Sequence, residues 1–332
     1  MNTPDTLLLK RADVAALLTL DECIGAVENA FREYGLGRTD APGVLGMPSV
    51  DGGFHIKAAL LNLASPYFAA KLNGNFFRNT ERFAMPNIQG VLVLCDARNG
   101  FPLAVMDSIE ITILRTGAAT AVAAKYLARR DSRVVTICGC GNQGRVQLRA
   151  LSEVLPIQRV YAFDVNADQA HKFAIELSRE LAIDIVAIAD LSEEVCKSDV
   201  CVTCTPARKF FLSNGDVGPG TFVAGVGADN HDKQELDPRL LASNKVVADI
   251  REQCAQIGDL HHAIHEGLMG LSDVYAELGE IVAGLKPGRT STEEITIFDS
   301  TGTALQDVAA AAVVYERAVK QGLGSRFRFQ AS

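Results

Sequence analysis

Residues 134–144 read VVTICGCGNQG, a short apolar run that breaks into Gly139-x-Gly141-x-x-Gly144. At the end of a strand this spacing has a physical meaning. The first glycine permits a tight turn, the second lets the backbone approach a pyrophosphate, and the third lets helix and strand pack closely. The helix that follows presents unpaired N–H groups and a partial positive charge to an anion. Glycine turns also serve packing, so the setting carries the weight. A second strand, 159–163, is followed by Asp164, twenty residues after Gly144. A carboxylate there accepts hydrogen bonds from the adenosine ribose hydroxyls and repels a 2′-phosphate. Val165 and Asn166 bring no compensating cation, so NAD(H) is expected over NADP(H). The expected cofactor set is Gly139, Gly141, Asn142, Gln143, Gly144 and Asp164, with Thr205 and Val226 at the ends of two later strands.

The pattern around this motif alternates. Strand 134–138, helix 142–154, strand 159–163, helix 167–181, strand 184–188, helix 192–197 and strand 199–204 follow in order, with further strands near 221–226 and 245–249. Such alternation implies a parallel sheet with right-handed crossovers. The preceding third of the chain differs. After a short strand, LTLDECIGAVENAFREYGLG carries a Thr19-x-x-Glu22 capping box, and Cys23, Val27, Ala30, Phe31 and Tyr34 recur at helical spacing. FHIKAALL, YFAAKLNGNF, GVLVLC and LAVMD then read as half-buried antiparallel strands, the last two joined through Asn99-Gly100, a hairpin signal. A helical pattern runs from Ser108 to about Leu127, and a last long helix, 303–321, has an Ala-rich face suited to packing back onto the first domain. Two domains are expected, as 332 residues exceed one typical core.

Bulk properties exclude several classes. A net charge of −8 argues against a nucleic-acid or anionic-membrane surface. No apolar stretch approaches the roughly 20 residues that span a bilayer. The opening MNTPDTLLLKRADV lacks the basic segment and cleavage site of a signal peptide, so a cytoplasmic protein is expected. Cys201-Val-Thr-Cys204 lies in an apolar strand, where residues three apart point to opposite faces and cannot close a chelate. The eight cysteines are therefore read as reduced thiols. His261 and His265 share a helix face, yet no acidic or cysteine ligand arrives at a recognisable spacing, and no metal is expected.

Three charged residues stand in apolar or small-residue settings. They are Lys71 in YFAAKLNGNF, Arg115 in TILRTGAATAVAA, and Asp229 just after FVAGVG, at the carboxyl edge of the parallel sheet where ligands bind. Each has a plain structural alternative: a snorkelling lysine, an ion-paired helix arginine, a loop-capping aspartate. Their motifs, however, occur together and in order. YFAAKLNGNF, GVLVLCDARNGFPLAVMD, ILRTGAATAVAAKYLAR running into GCGNQG, GVGADNHDKQELDP and TIFDSTGTALQDVAAAA resemble the ornithine cyclodeaminase/μ-crystallin family over nearly the whole chain.

That resemblance implies an α/β protein, a Rossmann domain with a parallel sheet inserted in a smaller, discontinuous α+β substrate-binding and dimerisation domain. The boundaries expected are 1–114 plus 303–332 for the substrate domain and 115–302 for the NAD-binding domain. It implies a homodimer and a small amino- or imino-acid substrate. By motif, Lys71 corresponds to the lysine that contacts the substrate carboxylate near the reacting carbon. Arg115 corresponds to the arginine that clamps this carboxylate, a task suited to a planar fork. Asp229 corresponds to the aspartate that contacts the substrate nitrogen and takes part in its protonation. One position departs from the family: many members carry a second carboxylate-binding arginine where this chain has Gly43 or Val44. Either Lys71 and Arg115 hold the carboxylate alone, or His55, Lys57 or Arg78 substitutes. The expected activity is NAD-dependent reduction of a small 2-imino acid, or 2-oxo acid plus amine, to an amino acid, and the reverse. The alternatives are a cyclodeaminase that uses NAD catalytically and releases ammonia, and a non-catalytic ligand-binding protein of the crystallin kind.

Overall fold

A computed structural model of the chain describes residues 5–329, in two compact units. One unit extends to Arg115 and resumes at Thr303; the other is Thr116–Gly302. The first boundary falls inside the helix Ile109–Leu127.

The first unit is built on a seven-stranded sheet. Its spatial order is Ser325–Phe327, Thr6–Leu9, Pro102–Asp107, Ile88–Asp96, Tyr67–Asn75, Gly52–Leu61, Gly43–Ser49. The five strands from Pro102–Asp107 to Gly43–Ser49 pair antiparallel, whereas Thr6–Leu9 joins Pro102–Asp107 in parallel. The hairpin at Asn99-Gly100 closes with Gly100 N donating to Asp96 O at 2.8 Å. Along Tyr67–Asn75 the period of two is clear: Tyr67, Ala69, Lys71 and Asn73 are buried, Phe68 and Leu72 exposed. A lysine thus occupies a core position.

Register extends this row across the sheet. Val44 lies opposite Lys57, Lys57 opposite Lys71, and Lys71 opposite Leu92, so all four share one face. The helix Ala304–Gln321 packs against Gly52–Leu61, Tyr67–Asn75 and the helix Leu20–Gly35. Buried Ala309, Ala310, Ala311 and Ala312 let its backbone come close to its neighbours. Leu20–Gly35 starts at the Thr19–Glu22 capping box, with Thr19 N donating to Glu22 Oε2 at 3.2 Å. The other face of the sheet is apolar and open: Leu45, Met47, Phe54, Phe68, Leu72 and Val91 are all exposed.

The second unit holds an eight-stranded sheet in which every pair is parallel. The order is Ala276–Glu277, Lys245–Ala248, Thr296–Asp299, Phe222–Gly225, Val200–Thr203, Val134–Cys138, Arg159–Phe163, Asp184–Ile188. From Val134–Cys138 the chain builds outward through two strands, then returns to place Val200–Thr203 on the opposite side. That reversal is the switch point of an open α/β sheet, where the carboxyl ends of the strands leave a crevice. Thr296–Asp299, buried at every position, lies between Phe222–Gly225 and Lys245–Ala248. The helix expected at 192–197 is shorter, Ser192–Val195. Among the described residues no helix is long and apolar enough to cross a membrane.

Candidate active site

In the first unit the buried lysine finds its partner far along the chain. Lys71 Nζ donates to Asp307 Oδ1 at 2.7 Å, and Arg115 Nε donates to the same oxygen at 3.0 Å. Arg115 Nη1 also donates to Gln306 Oε1 at 2.8 Å, which fixes the plane of the guanidinium. Lys71, Arg115 and Asp307 are 3%, 5% and 1% exposed, so this network sits beyond easy reach of water. Lys57, also buried, neighbours Lys71 across the strand pair.

Three cations therefore meet one carboxylate. Burial pushes the Lys71 ammonium down to about 7; Asp307 opposes that shift, and Arg115 and Lys57 add to it. Burial alone would raise Asp307, but Lys71 and Arg115 outweigh it and hold its carboxyl below the ordinary range. Two cations paired with one carboxylate make the group suited to receive an anion. Asp307 and Gln306 were not singled out in the sequence. The available signal was an acidic side chain in an Ala-rich run, LQDVAAAA, whose face is otherwise apolar.

The other candidates for carboxylate binding fall in different places. His55 lies on the same sheet face as Lys57, opposite Asn73, whose Oδ1 accepts from Ser108 Oγ at 2.6 Å. Arg78 is on the surface, 60% exposed in its side chain and 3.6 Å from Glu81. It is not brought to the buried row. Val44 occupies the outer end of that row, next to Lys57. Of the two residues that stand where the resemblance expects a second arginine, Gly43 and Val44, Val44 has a cation as its cross-strand neighbour.

In the second unit, Val134–Cys138 leads into the glycine turn and the helix Asn142–Ser152. Gly139 adopts φ +101°, and a Cβ on Gly144 would stand 2.0 Å from Gly139 O, so the turn tolerates no side chain there. No side chain caps the helix at Gly141, and the Oε1 of Gln143 is buried without a hydrogen-bond partner. Open space in front of Gly141, together with an uncapped helix N-terminus, fits a pyrophosphate. Asp164 Oδ2 accepts from Cys140 N and its Oδ1 from Asn166 N, both at 2.9 Å, which orients the carboxylate beside the turn. Thr205 donates from N and Oγ1 to Glu235, and Val226 N donates to Thr203 O. Asp229, in the loop after Phe222–Gly225, accepts from Lys233 Nζ at 2.7 Å and remains 44% exposed in its side chain. His261 and His265 stack with ring centroids 6.2 Å apart, and His262 Nε2 lies 2.8 Å from Lys233 O. Among the described residues no group of three or more His, Cys, Asp or Glu side chains is placed to hold a metal.

The Asp307 network makes a direct prediction. Asp307→Asn leaves two or three buried cations without their counter-charge, which costs about 3–5 kcal/mol. Urea denaturation should show a loss of that size with NADH affinity retained. An unchanged midpoint would mean that the cations do not depend on Asp307.

Comparison with known proteins agrees with these features. The model of the ornithine cyclodeaminase/mu-crystallin family matches residues 4–322. An alanine dehydrogenase of Archaeoglobus fulgidus is 42% identical over 325 residues, covering 98% of this chain and 99% of that protein. An archaeal alanine dehydrogenase dimer with bound NAD superposes with a TM-score of 0.93 at 41% identity, covering 98% of this chain and 100% of that one. The Delta(1)-pyrroline-2-carboxylate reductase of Thermococcus litoralis, in complex with NADH and L-proline, gives a TM-score of 0.91 at 36% identity, covering 96% and 99%. The family model spans nearly the whole chain and the relatives match it end to end, so the chain belongs to the ornithine cyclodeaminase/mu-crystallin family.

Proposed function

We propose that this protein is an NAD-dependent imino-acid reductase that converts a small 2-imino acid, or a 2-oxo acid plus amine, into an amino acid, and runs in reverse as an amino-acid dehydrogenase. The observation that carries the reading is the buried set of Lys71, Arg115 and Lys57 around Asp307, a receptor for one small carboxylate. The relatives point the same way, since they are named alanine dehydrogenase and Delta(1)-pyrroline-2-carboxylate reductase.

Arg115, oriented by Asp307 and Gln306, presents its outer Nη edge to the substrate carboxylate. Lys71 meets the same carboxylate as an ammonium; the arriving anion favours its charged form, which burial alone disfavours. Lys57 supplies the positive charge that family members draw from their second arginine, with His55 as its neighbour on that face. Arg78, ion-paired at the surface, has no part in this reading. Asp229 takes the substrate nitrogen. Its carboxylate holds the proton of the iminium and stabilises the cation, the form in which C=N most readily accepts a hydride. Gly139, Gly141, Asn142, Gln143 and Gly144 hold the dinucleotide phosphates, Asp164 the ribose, and Thr205 and Val226 flank the nicotinamide end. Bound NADH supplies the hydride.

The open apolar face of the first unit supports a homodimer. Monomers rarely expose a contiguous apolar area of this kind. We assign the dimer to the cytoplasm, where buried and exposed thiols stay reduced.

Two outcomes are expected of the reaction. With a small 2-oxo acid and ammonia or methylamine, or a preformed cyclic imine, NADH should be consumed in proportion to product. Asp229→Ala should then cut turnover by about 10²-fold or more with NADH binding intact. Ammonia released from ornithine at constant NADH absorbance would instead identify a cyclodeaminase.

Titration should show NADH binding more tightly than NADPH, because a 2′-phosphate would crowd the Asp164 carboxylate with further negative charge. Asp164→Ser should narrow the difference, and equal affinities in the unaltered protein would overturn the assignment. Sedimentation should show a dimer at micromolar concentration that Leu72→Glu with Phe54→Glu converts to monomer. A monomeric parent protein would remove the case for that interface.

A further inference from the structure

One fully buried carboxylate has no role in the reaction as assigned above. Glu235 lies in the short strand Gln234–Leu236, and its side chain accepts four hydrogen bonds. Oε1 accepts from Thr205 N at 2.6 Å and Thr205 Oγ1 at 2.7 Å. Oε2 accepts from Thr203 Oγ1 at 2.8 Å and Gly227 N at 2.7 Å. Thr203 and Thr205 belong to the end of Val200–Thr203 and its loop, and Gly227 follows Phe222–Gly225, the adjacent strand. Two residues beyond Gly227 is Asp229, whose N–H donates to Gly227 O at 3.1 Å. One carboxylate therefore joins the two loops that leave the sheet beside its switch point.

Four donors and two oxygens suit an ionised carboxylate. Protonation leaves fewer lone pairs for these donors and forces a threonine hydroxyl to turn from donor to acceptor, which weakens the four-bond arrangement. The surroundings oppose ionisation. Burial pushes the Glu235 carboxyl up to about 7, the Asp259 carboxyl adds to the push, and the Thr205 and Thr203 donors pull it back. Asp259, at the start of the helix Asp259–His265, is itself pushed up to about 6 by burial, and its Oδ1 accepts from Glu235 N at 2.8 Å. Among the described residues the thiols of Cys204 and Cys138 also face Glu235. Both are raised well above the ordinary thiol range and so stay neutral. No cation stands among these groups to fix the charge.

We infer that Glu235 is a positioning residue for the reaction: as a carboxylate it clamps the Thr205 loop to the Gly227–Asp229 loop, and on protonation it lets them separate. It acts through Thr205 and Asp229 and touches no substrate. The inference rests on the roles assigned to those two residues, so its test must be separable from theirs.

The measurement is the pH profile of kcat for NADH-dependent imine reduction, read with NADH affinity at each pH. The parent protein should lose turnover as pH falls through about 7. Glu235→Gln, which cannot titrate, should be slower by about tenfold at pH 8, equivalent to roughly 1.4 kcal/mol, and should lack that acid limb. Thr203→Val keeps shape and fold while removing one donor from Oε2. A lost donor raises the carboxyl pKa, so the limb should move to higher pH. An acid limb that stays in place in both variants overturns the inference, as does a parent profile that is flat between pH 6 and 8. Asp229→Ala is the control for the underlying reading: full turnover in that variant would refute the role of Asp229 whatever Glu235 does. Should Glu235→Gln fail to fold, Thr203→Val alone decides the matter.

Discussion

Asp307 sits on an alanine-rich helix and faces Lys71, Arg115 and Lys57 in the interior of the first unit. Isolated, each of these cations would pay several kcal/mol to leave water. A shared carboxylate oxygen at 2.7 and 3.0 Å offsets much of that cost for two of them. It does not offset all of it, since one negative charge is shared by the two cations paired with it. The remainder is an electrostatic demand that a substrate carboxylate can meet. The closeness of the helix matters to this balance. Ala309, Ala310, Ala311 and Ala312 keep it near its neighbours, so that a short aspartate reaches a lysine that projects from the strand face. Bulkier residues in that run would hold the helix away and weaken the compensation on which the buried cations depend.

The second unit meets a different demand by different means. Its anion site is made of backbone: a turn with no room for a Cβ at Gly144, and a helix start that no side chain caps. Side chains there mostly hold loops in place. Asp164 accepts from two backbone N–H groups around the turn, and Glu235 accepts from two more at the neighbouring strand ends. Carboxylates used in this way replace the ladder hydrogen bonds that end with the strands. Of these two, Asp164 is partly exposed, whereas Glu235 is buried and has only the protein to meet.

How far the sequence disclosed this depends on how local each feature is. The strand, glycine turn and helix at 134–152 are adjacent in the chain, and the alternation that follows is regular, so the parallel sheet was readable. Lys71 was visible as a charge in a core pattern. Its partner was not, because 236 positions separate Lys71 from Asp307, and a periodicity shows burial but not company. Lys57 could be named as a candidate, yet its place opposite both Lys71 and Val44 comes from register. The strand Gly43–Ser49 is an exposed edge with Gly43, Gly46 and Pro48, and gives little strand signal. Thr296–Asp299 is buried on both faces and shows no alternation, so ITIFD carries no period-two signal.

In the proposed carboxylate site, lysine and arginine would divide the work in a way that follows from their chemistry. Arg115 keeps its geometry through a rigid fork anchored by Asp307 and Gln306. Lys71, pushed down to about 7 by burial, can hold or release a proton under mild conditions. A site with two arginines could not adjust its charge; one with two lysines would lack a fixed orientation for a planar anion. With Gly43 or Val44 where the resemblance expects a further arginine, the proposed site leans toward adjustable cations, because Lys57 lies opposite Val44. The affinity for a carboxylate should therefore weaken as pH rises through the range in which Lys71 loses its proton, while Arg115 continues to set how that carboxylate lies.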